Sequence, residues 1–170
     1  PCVIKKPSGL TEGLFLIKPG EGVTSPQSTT VTFTNITIDG QGESRASGRA
    51  LLNVNNANGE FSLDTGATIQ NNYCTGNGGA AYLSYGGKLT IKPGAYIVNN
   101  VAGFGSSSNG GAVANIGGVL TMTGGYVAGN SATNNGGGIY STNNDGFTAT
   151  TSISGGQIGQ LTNAEGEIVY

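Results

Sequence analysis

The 170-residue sequence contains no histidine and no tryptophan, and it has only two cysteines. Without histidine there is no histidine-based catalytic triad and no imidazole metal ligand, and the commonest general base is missing. Two thiols far apart in the sequence do not make a zinc-binding cluster. These absences remove most familiar catalytic and metal-binding arrangements, so we expect no metal and no cofactor.

Charge is also scarce, at 9% of residues against roughly 25% in an ordinary soluble domain. The seven basic residues are scattered along the chain, and the net charge is −2. Because no basic stripe is available for a phosphate backbone, a nucleic-acid partner is not expected. The longest apolar run, residues 14–17, is far shorter than a membrane span, and no membrane insertion is expected.

Glycine and asparagine are abundant instead, with 32 and 18 residues. Both residue types tolerate left-handed backbone conformations, which many tight turns require. The composition therefore favours a fold made of short strands joined by frequent tight turns.

The clearest pattern is a segment of about a dozen residues that occurs three times and then once more in a weaker form. The copies span residues 61–72, 89–100, 120–130 and 151–160. Equivalent apolar positions are 28 to 31 residues apart in two sets, namely Leu63, Ile91, Met122 and Ile153, and Ile69, Ile97, Val127 and Ile158. Repetition at this period is typical of a solenoid, in which each repeat buries its apolar face against its neighbours.

Each copy alternates apolar and polar residues over three to five positions, which is the pattern of a short β-strand. Turn pairs such as Pro93-Gly94, and Asn-Gly-Gly triplets at 77–79, 109–111 and 135–137, separate the strands. Helical periodicity and the leucine-rich-repeat pattern are absent, and a propeller blade needs about 40 residues. We therefore predict an all-β fold, a right-handed parallel β-helix of about five coils, each of about 30 residues with three short strands.

The repeat frame also predicts how the chain is divided. Segment 31–38 fits the frame, whereas the residues before it fit poorly. We expect residues 31–170 to form the coils and residues 1–30 to form an N-terminal cap or partial coil, since open strand edges need covering. We also expect the chain to be a piece of a longer protein.

Glycine-rich motifs carry a resemblance to a known class of proteins. Asn-Gly-Gly-Ala at 109–112 and Asn-Gly-Gly-Gly-Ile-Tyr at 135–140 lie about one coil apart. They resemble the right-handed β-helix repeats of large bacterial surface proteins, and are similar to the repeats of polymorphic outer-membrane proteins, although the regular Phe-x-x-Asn of the latter is missing. The resemblance implies a secreted or wall-associated rod, commonly an adhesin or a structural part of one. The same pectin-lyase-like fold also carries polysaccharide lyases and hydrolases.

Two sets of residues predict internal stabilisation. Asn72, Asn100 and Asn130 occupy one position in successive coils, so their side chains are expected to form a hydrogen-bonded asparagine ladder along the axis. Cys2 and Cys74 could form one disulfide that ties the N-terminal segment to the stack, or remain two unlinked small residues.

The nine acidic residues give little support for catalysis. Hydrolysis of a glycoside needs two carboxylates about 5 to 9.5 Å apart, and no such pair falls on one rank of the repeat frame. Asp64 instead aligns with Lys92 of the next coil, which predicts a cross-strand ion pair. We expect no enzymatic activity, and keep a polysaccharide lyase or hydrolase as the third alternative.

Tyrosines supply the candidate ligand-binding residues. Tyr96 and Tyr126 are 30 residues apart beside apolar strand positions, so their rings should face outward. Tyr82 and Tyr140 lie two coils apart on the third strand of the repeat. Outward rings can support the apolar face of a sugar, with the variable loop 101–108 as a further contact, or they can simply be good strand residues on an exposed face.

The main functional expectation is a non-enzymatic surface or adhesin module, secreted or displayed at the cell surface. Its rigid rod would present a binding face to a host or environmental glycan or to a surface protein. The alternative is a structural subunit that stacks end to end through its strand edges into a fibre.

Overall fold

The computed structural model describes residues 2–18, 28–43, 46–104 and 107–160. Within these ranges the chain forms strands and no α-helix, so no helix there could span a membrane. The strands in chain order are β1 (Cys2–Lys5), β2 (Phe15–Ile17), β3 (Thr29–Phe33), β4 (Ile36–Asp39), β5 (Leu52–Asn55), β6 (Gly59–Leu63), β7 (Thr68–Gln70), β8 (Tyr73–Cys74), β9 (Ala81–Ser84), β10 (Lys88–Ile91), β11 (Tyr96–Val98), β12 (Val101–Ala102), β13 (Val113–Ile116), β14 (Val119–Ala128), β15 (Ser131–Ala132), β16 (Ile139–Thr142) and β17 (Thr150–Gly159).

These strands stack from coil to coil in four columns, and the ladders between them are parallel. The first column contains β3, β6, β10 and the first halves of β14 and β17. The second contains β1, β4, β7, β11 and the second halves of β14 and β17. The third contains β8, β12 and β15, and the fourth contains β2, β5, β9, β13 and β16. This architecture confirms the predicted all-β parallel solenoid of about five turns, with a coil spacing of about 30 residues.

The strand count per coil differs from the prediction of three. A complete coil has a fourth strand in the third column, where β8, β12 and β15 are only two residues long. Two residues cannot show the alternation that marks a strand in a sequence, so these strands are indistinguishable from loop in the repeat pattern. In addition, β14 and β17 run on through the glycine pair that was expected to separate two strands, with a break in their register at Thr123.

The N-terminal residues add a partial coil to the stack. Strand β1 pairs in register with β4, and β2 pairs with β5. Phe15 lies edge-on to Phe33 at a centroid distance of 5.1 Å, and Phe33 stacks on Phe61 at 5.6 Å. These rings cover the end of the apolar core that lies at the first coil. Residues 19–27 of the predicted cap and 161–170 of the predicted coils lie outside the described residues.

The core consists of apolar side chains that repeat at the same position in successive coils. One row joins Phe33, Leu63, Ile91 and Met122, and another joins Ile38, Ile69, Ile97 and Val127. All eight side chains are buried. Full burial of one such side chain contributes about 1.5–3 kcal/mol, so the rows account for the stacking of coils.

The corners of the coil explain the abundance of glycine and asparagine. At the corner between the first and second columns, φ is positive in every coil: Asn35 (51°), Gly66 (74°), Gly94 (80°) and Gly125 (79°). The next corner repeats this with Asn71 (53°), Asn99 (56°) and Gly129 (64°). Most L-residues clash in this left-handed region, whereas glycine and asparagine tolerate it.

The asparagine ladder lies immediately after the second of these corners. The backbone N–H of Asn72 donates to Oδ1 of Asn100 at 3.0 Å, and the N–H of Asn100 donates to Oδ1 of Asn130 at 2.9 Å. Nδ2 of Asn100 also donates to Oδ1 of Asn130 and to the carbonyls of Ile69 and Val98. The ladder therefore satisfies polar groups inside the bend as well as linking coils.

Lys6 ends this ladder at its N-terminal side. Its side chain is 2% exposed, and Nζ donates to Oδ1 of Asn72 at 3.0 Å and to Oγ of Ser47 at 3.2 Å. Burial lowers the pKa of Lys6 below its ordinary value, while the nearby Cys74 opposes that shift. The amine occupies the place where a further coil would supply a donor to Asn72.

Cys2 and Cys74 do not form a disulfide, which was one of the two possibilities that the sequence left open. Cys2 lies on the exposed side of β1, and Cys74 is fully buried in β8, where its thiol donates to the carbonyl of Gly76 at 3.2 Å. The two thiols are therefore free and point into different environments. Burial raises the pKa of the Cys74 thiol to about 11.

Asn100→Ala is expected to destabilise the solenoid by about 3 kcal/mol, because it leaves the buried N–H of Asn72 without its acceptor and removes the Nδ2 bonds to Oδ1 of Asn130 and to the carbonyls of Ile69 and Val98. Asn130→Ala should lower the free energy of unfolding less, by about 1 kcal/mol, because Asn130 is partly exposed and water can replace its bonds. Urea unfolding followed by circular dichroism measures both. Equal losses for the two variants would contradict the role given to the buried ladder.

A thiol-reactive reagent at about pH 8 is expected to label Cys2 rapidly in the folded protein and to leave Cys74 unmodified, because the Cys74 thiol is buried and protonated. Mass spectrometry of proteolytic fragments identifies the labelled residue. In urea both thiols should react, which serves as the control. Rapid labelling of Cys74 before unfolding, or no labelling of Cys2, would contradict the described environments.

Candidate ligand-binding face

Tyr96 and Tyr126 lie on neighbouring coils in the second column, as the repeat predicts. Their rings are stacked, with centroids 4.9 Å apart and an interplanar angle of 15°, and they pack beside Val98 and Ala128. One face of each ring is therefore covered by the other ring. A sugar approaching this column meets mainly ring edges, which are poorer platforms than ring faces.

Tyr82 and Tyr140 lie in the fourth column, in one row with Asn53 and Ala114. Ala114 separates the two tyrosines and is fully buried, so the rings are not direct neighbours in the ladder. Tyr82 is half-buried, and burial is the main cause that raises its pKa, followed by the nearby Tyr85. Tyr82 is thus a neutral phenol at physiological pH.

A cavity of about 170 Å³ lies beside Tyr82, with Arg49, Asn53 and Asn77 in its wall. Arg49 forms an exposed ion pair with Glu12, and both residues also line an adjacent cavity of about 240 Å³. Polar and cationic groups thus surround the outer face of the fourth column near the first coils.

A larger open cavity, of about 420 Å³, lies at the turn that follows the fourth column. Its walls are Asn55, Asn56, Ala57, Tyr85 and Phe147. The Tyr85 and Phe147 rings meet edge to face at 5.4 Å and 75°, and these side chains are 43% and 38% exposed. Because the two rings are nearly perpendicular, they form an aromatic corner with ring surface open to solvent.

The loop 143–149 positions Phe147 at this corner. Asp145 and Gly146 both have positive φ, and Asn144 and Phe147 exchange two backbone hydrogen bonds of 3.0 and 2.8 Å. This is the geometry of a two-residue type I′ turn, for which Asp-Gly is a favoured pair. Phe147 then lies over the neighbouring coil at Gly117, where an added Cβ would stand 2.9 Å from the Cβ of Phe147.

Neither Tyr85 nor Phe147 is marked by the repeat pattern, which is why sequence reasoning missed them. Tyr85 lies in a turn, at φ 50°, and Phe147 lies in the long connection between β16 and β17. That connection has seven residues, 143–149, against three after β5, three after β9 and two after β13. The greater length of this connection and its Asp-Gly pair are the sequence features that could have indicated an irregular loop here.

Two asparagines, Asn55 and Asn56, line the cavity together with the aromatic corner. Oδ1 of Asn55 accepts from Oγ of Ser84 at 3.1 Å, and Oδ1 of Asn56 accepts from the N–H of Asn58 at 3.1 Å. Both carbonyl oxygens are thus engaged within the protein. Their Nδ2 groups make no side-chain hydrogen bond among the described residues and are available as donors.

The loop 101–108, a predicted contact segment, is only partly described, because residues 105–106 lie outside the described ranges. Its first two residues form β12, Phe104 packs edge-on against Tyr73, and Ser108 is buried with its hydroxyl donating to the carbonyl of Thr75. The described part of this loop therefore packs mainly on the solenoid.

The acidic side chains near the columns make internal contacts. Asp39 accepts bonds from Gln41 and Gln70, and Glu60 accepts one from Thr90. Asp64 pairs with Lys92 at 3.1 Å, and the bond from the Thr65 backbone N–H, followed by the one from Lys92, lowers the pKa of Asp64. Among the described residues, no group of three or more acidic or cysteine side chains could hold a metal ion.

Comparisons with protein-family models, with curated proteins and with solved structures find no match to this chain. The resemblance of the glycine motifs therefore rests on those motifs and on the solenoid fold.

The Tyr96–Tyr126 stack is expected to contribute a coupling energy of about 0.5–1.5 kcal/mol to stability. A double-mutant cycle with Tyr96→Leu and Tyr126→Leu, measured by urea unfolding, isolates this energy from the loss of each side chain. The same cycle with Tyr96→Leu and the distant Tyr140→Leu is the control and should show no coupling. Additive losses for Tyr96 and Tyr126 would contradict a stabilising stack.

Proposed function

We propose that this protein is a non-enzymatic extracellular module, a rigid rod that binds a glycan on a surface through the outer face of its fourth column. The observation that carries the proposal is the exposed aromatic corner of Tyr85 and Phe147, which shares a cavity with the amide side chains of Asn55 and Asn56. An aromatic face beside hydrogen-bonding amides complements a sugar ring, which has both an apolar face and hydroxyl groups.

The position of the site supports the same proposal. Tyr82, Tyr85 and the cavities around them lie along one side of the rod, so a chain of linked sugars could follow the fourth column across several coils. Several weak contacts along a rigid ladder add to a useful affinity when they act together. The extracellular location belongs to this proposal, since surface glycans are found there.

Internal bonding of the acidic residues supports a binding role rather than a catalytic one. Asp39, Glu60 and Asp64 are engaged by neighbouring donors, as described above. A carboxylate that acts on a glycoside needs access to the bond and a second carboxylate at a suitable distance.

End-to-end stacking of copies is the second candidate function, and one observation favours it. Ile153 and Ile158 on β17 continue the two apolar core rows but are 50% and 44% exposed. A second copy that paired with β17 would cover both side chains. Such stacking predicts assembly that grows with protein concentration in sedimentation experiments.

On a broad glycan array we expect selective binding by the wild-type protein that is lost in the Tyr85→Ala/Phe147→Ala variant. The Tyr96→Ala/Tyr126→Ala variant is the matched control and should retain binding, because those rings stack on each other. Circular dichroism verifies that both variants are folded.

The other outcomes separate the candidates. Binding lost only in the Tyr96/Tyr126 variant would keep the glycan function and move the site to the second column. A blank array for the wild type would contradict the glycan function, and concentration-dependent assembly would then support the stacking rod. Release of new reducing or unsaturated ends from a polysaccharide would contradict a non-enzymatic role.

A further inference from the structure

The aromatic corner also indicates what kind of sugar it takes, an inference that rests on the proposed function and concerns the same face. The walls of the 420 Å³ cavity are two aromatic rings, two amide side chains and an alanine. Among the described residues, no charged side chain lines it, in contrast to the neighbouring cavity, whose wall includes Glu12, Lys18 and Arg49. We propose that the Tyr85–Phe147 corner binds a single neutral hexopyranose ring.

The size and shape of the cavity suit this ligand. Small-ligand pockets are typically about 300–1,000 Å³, and this cavity falls at the lower end of that range. The two rings stand at 75° to each other. A pyranose can lie flat on one ring and place its edge against the other, which removes apolar C–H surface from water on two sides.

The hydrogen-bonding groups define the polarity of the ligand. Oδ1 of Asn55 and Oδ1 of Asn56 are both occupied by internal donors, so these two side chains offer N–H groups to a ligand. Hydroxyl and ring oxygens accept such bonds. A carboxylate or sulfate would gain no cation in this cavity to offset the loss of its water, so an acidic sugar is disfavoured.

The loop 143–149 is the specificity element of this site. It contributes Phe147 through a turn fixed by its own backbone bonds, and Phe147 reaches across to Tyr85 of another coil. Gly117 lies beneath Phe147 and leaves it room, since an added Cβ there would be 2.9 Å from the Cβ and 3.2 Å from the carbonyl oxygen of Phe147. The corner thus needs residues from three separate parts of the chain.

The test is an NMR titration of the full chain with three probes: methyl β-galactopyranoside, methyl β-glucopyranoside and the sodium salt of methyl β-galactopyranosiduronic acid. A neutral glycoside should shift the side-chain amide signals of Asn55 and Asn56 and the ring signals of Tyr85, while the uronate should not. Phe147→Ala should weaken binding about tenfold or more, as expected for an aromatic anchor whose exposed ring the bound sugar covers. Tyr126→Ala, an aromatic removed from a different column, is the control and should leave binding unchanged.

Asn56→Asp provides a variant that preserves the fold. Its Oδ1 can still accept from the N–H of Asn58, so the local turn is kept, but the Nδ2 donor is gone. We expect this variant to lose binding of the neutral sugar while its spectrum otherwise matches the wild type.

Three results would overturn the inference: unchanged binding in both Phe147→Ala and Asn56→Asp, tighter binding of the uronate than of the neutral sugars, or no shift at Asn55 and Asn56 with any probe. If the array is positive in these cases, the glycan function stands and only the site or sugar class is wrong. A blank array for the wild type would instead contradict the proposed function itself.

Discussion

The left-handed corners of the coil are the constraint on which the rest of the solenoid depends. Each coil must turn sharply at the same positions, and a residue that cannot adopt positive φ there would shift every strand that follows. Glycine and asparagine hold these corners in successive coils, as at Gly66, Gly94 and Gly125. When the corners of successive coils are aligned, the strands between them are in register and the apolar side chains stack in rows.

The corners also leave backbone polar groups buried, and asparagine side chains rather than charged side chains form hydrogen bonds with them. The side chain of Asn100 bonds the backbone of its own coil and the adjacent ones. A second ladder, Asn77, Asn109 and Asn135, does the same at the Asn-Gly-Gly turns, with its backbone donors directed the opposite way along the axis. Lys6 is a buried lysine whose amine closes the first ladder where the coils end. Neutral amides satisfy such groups without the desolvation penalty of ions.

The coil spacing decides what an aromatic side chain can do. Strands in a ladder lie about 4.8 Å apart, close to the 4.9 Å that separates the stacked rings of Tyr96 and Tyr126. Aromatic residues at equivalent positions of adjacent coils, as at Tyr96 and Tyr126, therefore stack on one another and stabilise the rod. Tyr85 and Phe147 lie outside the repeating strand positions, and their rings meet at 75° with surface left open. The proposed binding site therefore lies where the repeat is broken.

The sequence by itself determined the solenoid, because apolar spacing of 28 to 31 residues and recurring turn glycines admit few other folds. It also determined the register that pairs Asp64 with Lys92 and stacks Tyr96 on Tyr126, since those relations follow from the repeat. Only the tertiary structure decided the two-residue strands of the third column, the separate environments of Cys2 and Cys74, and the meeting of Tyr85 with Phe147. These features depend on where irregular segments fold in space, and a periodic pattern carries no information about residues that depart from it.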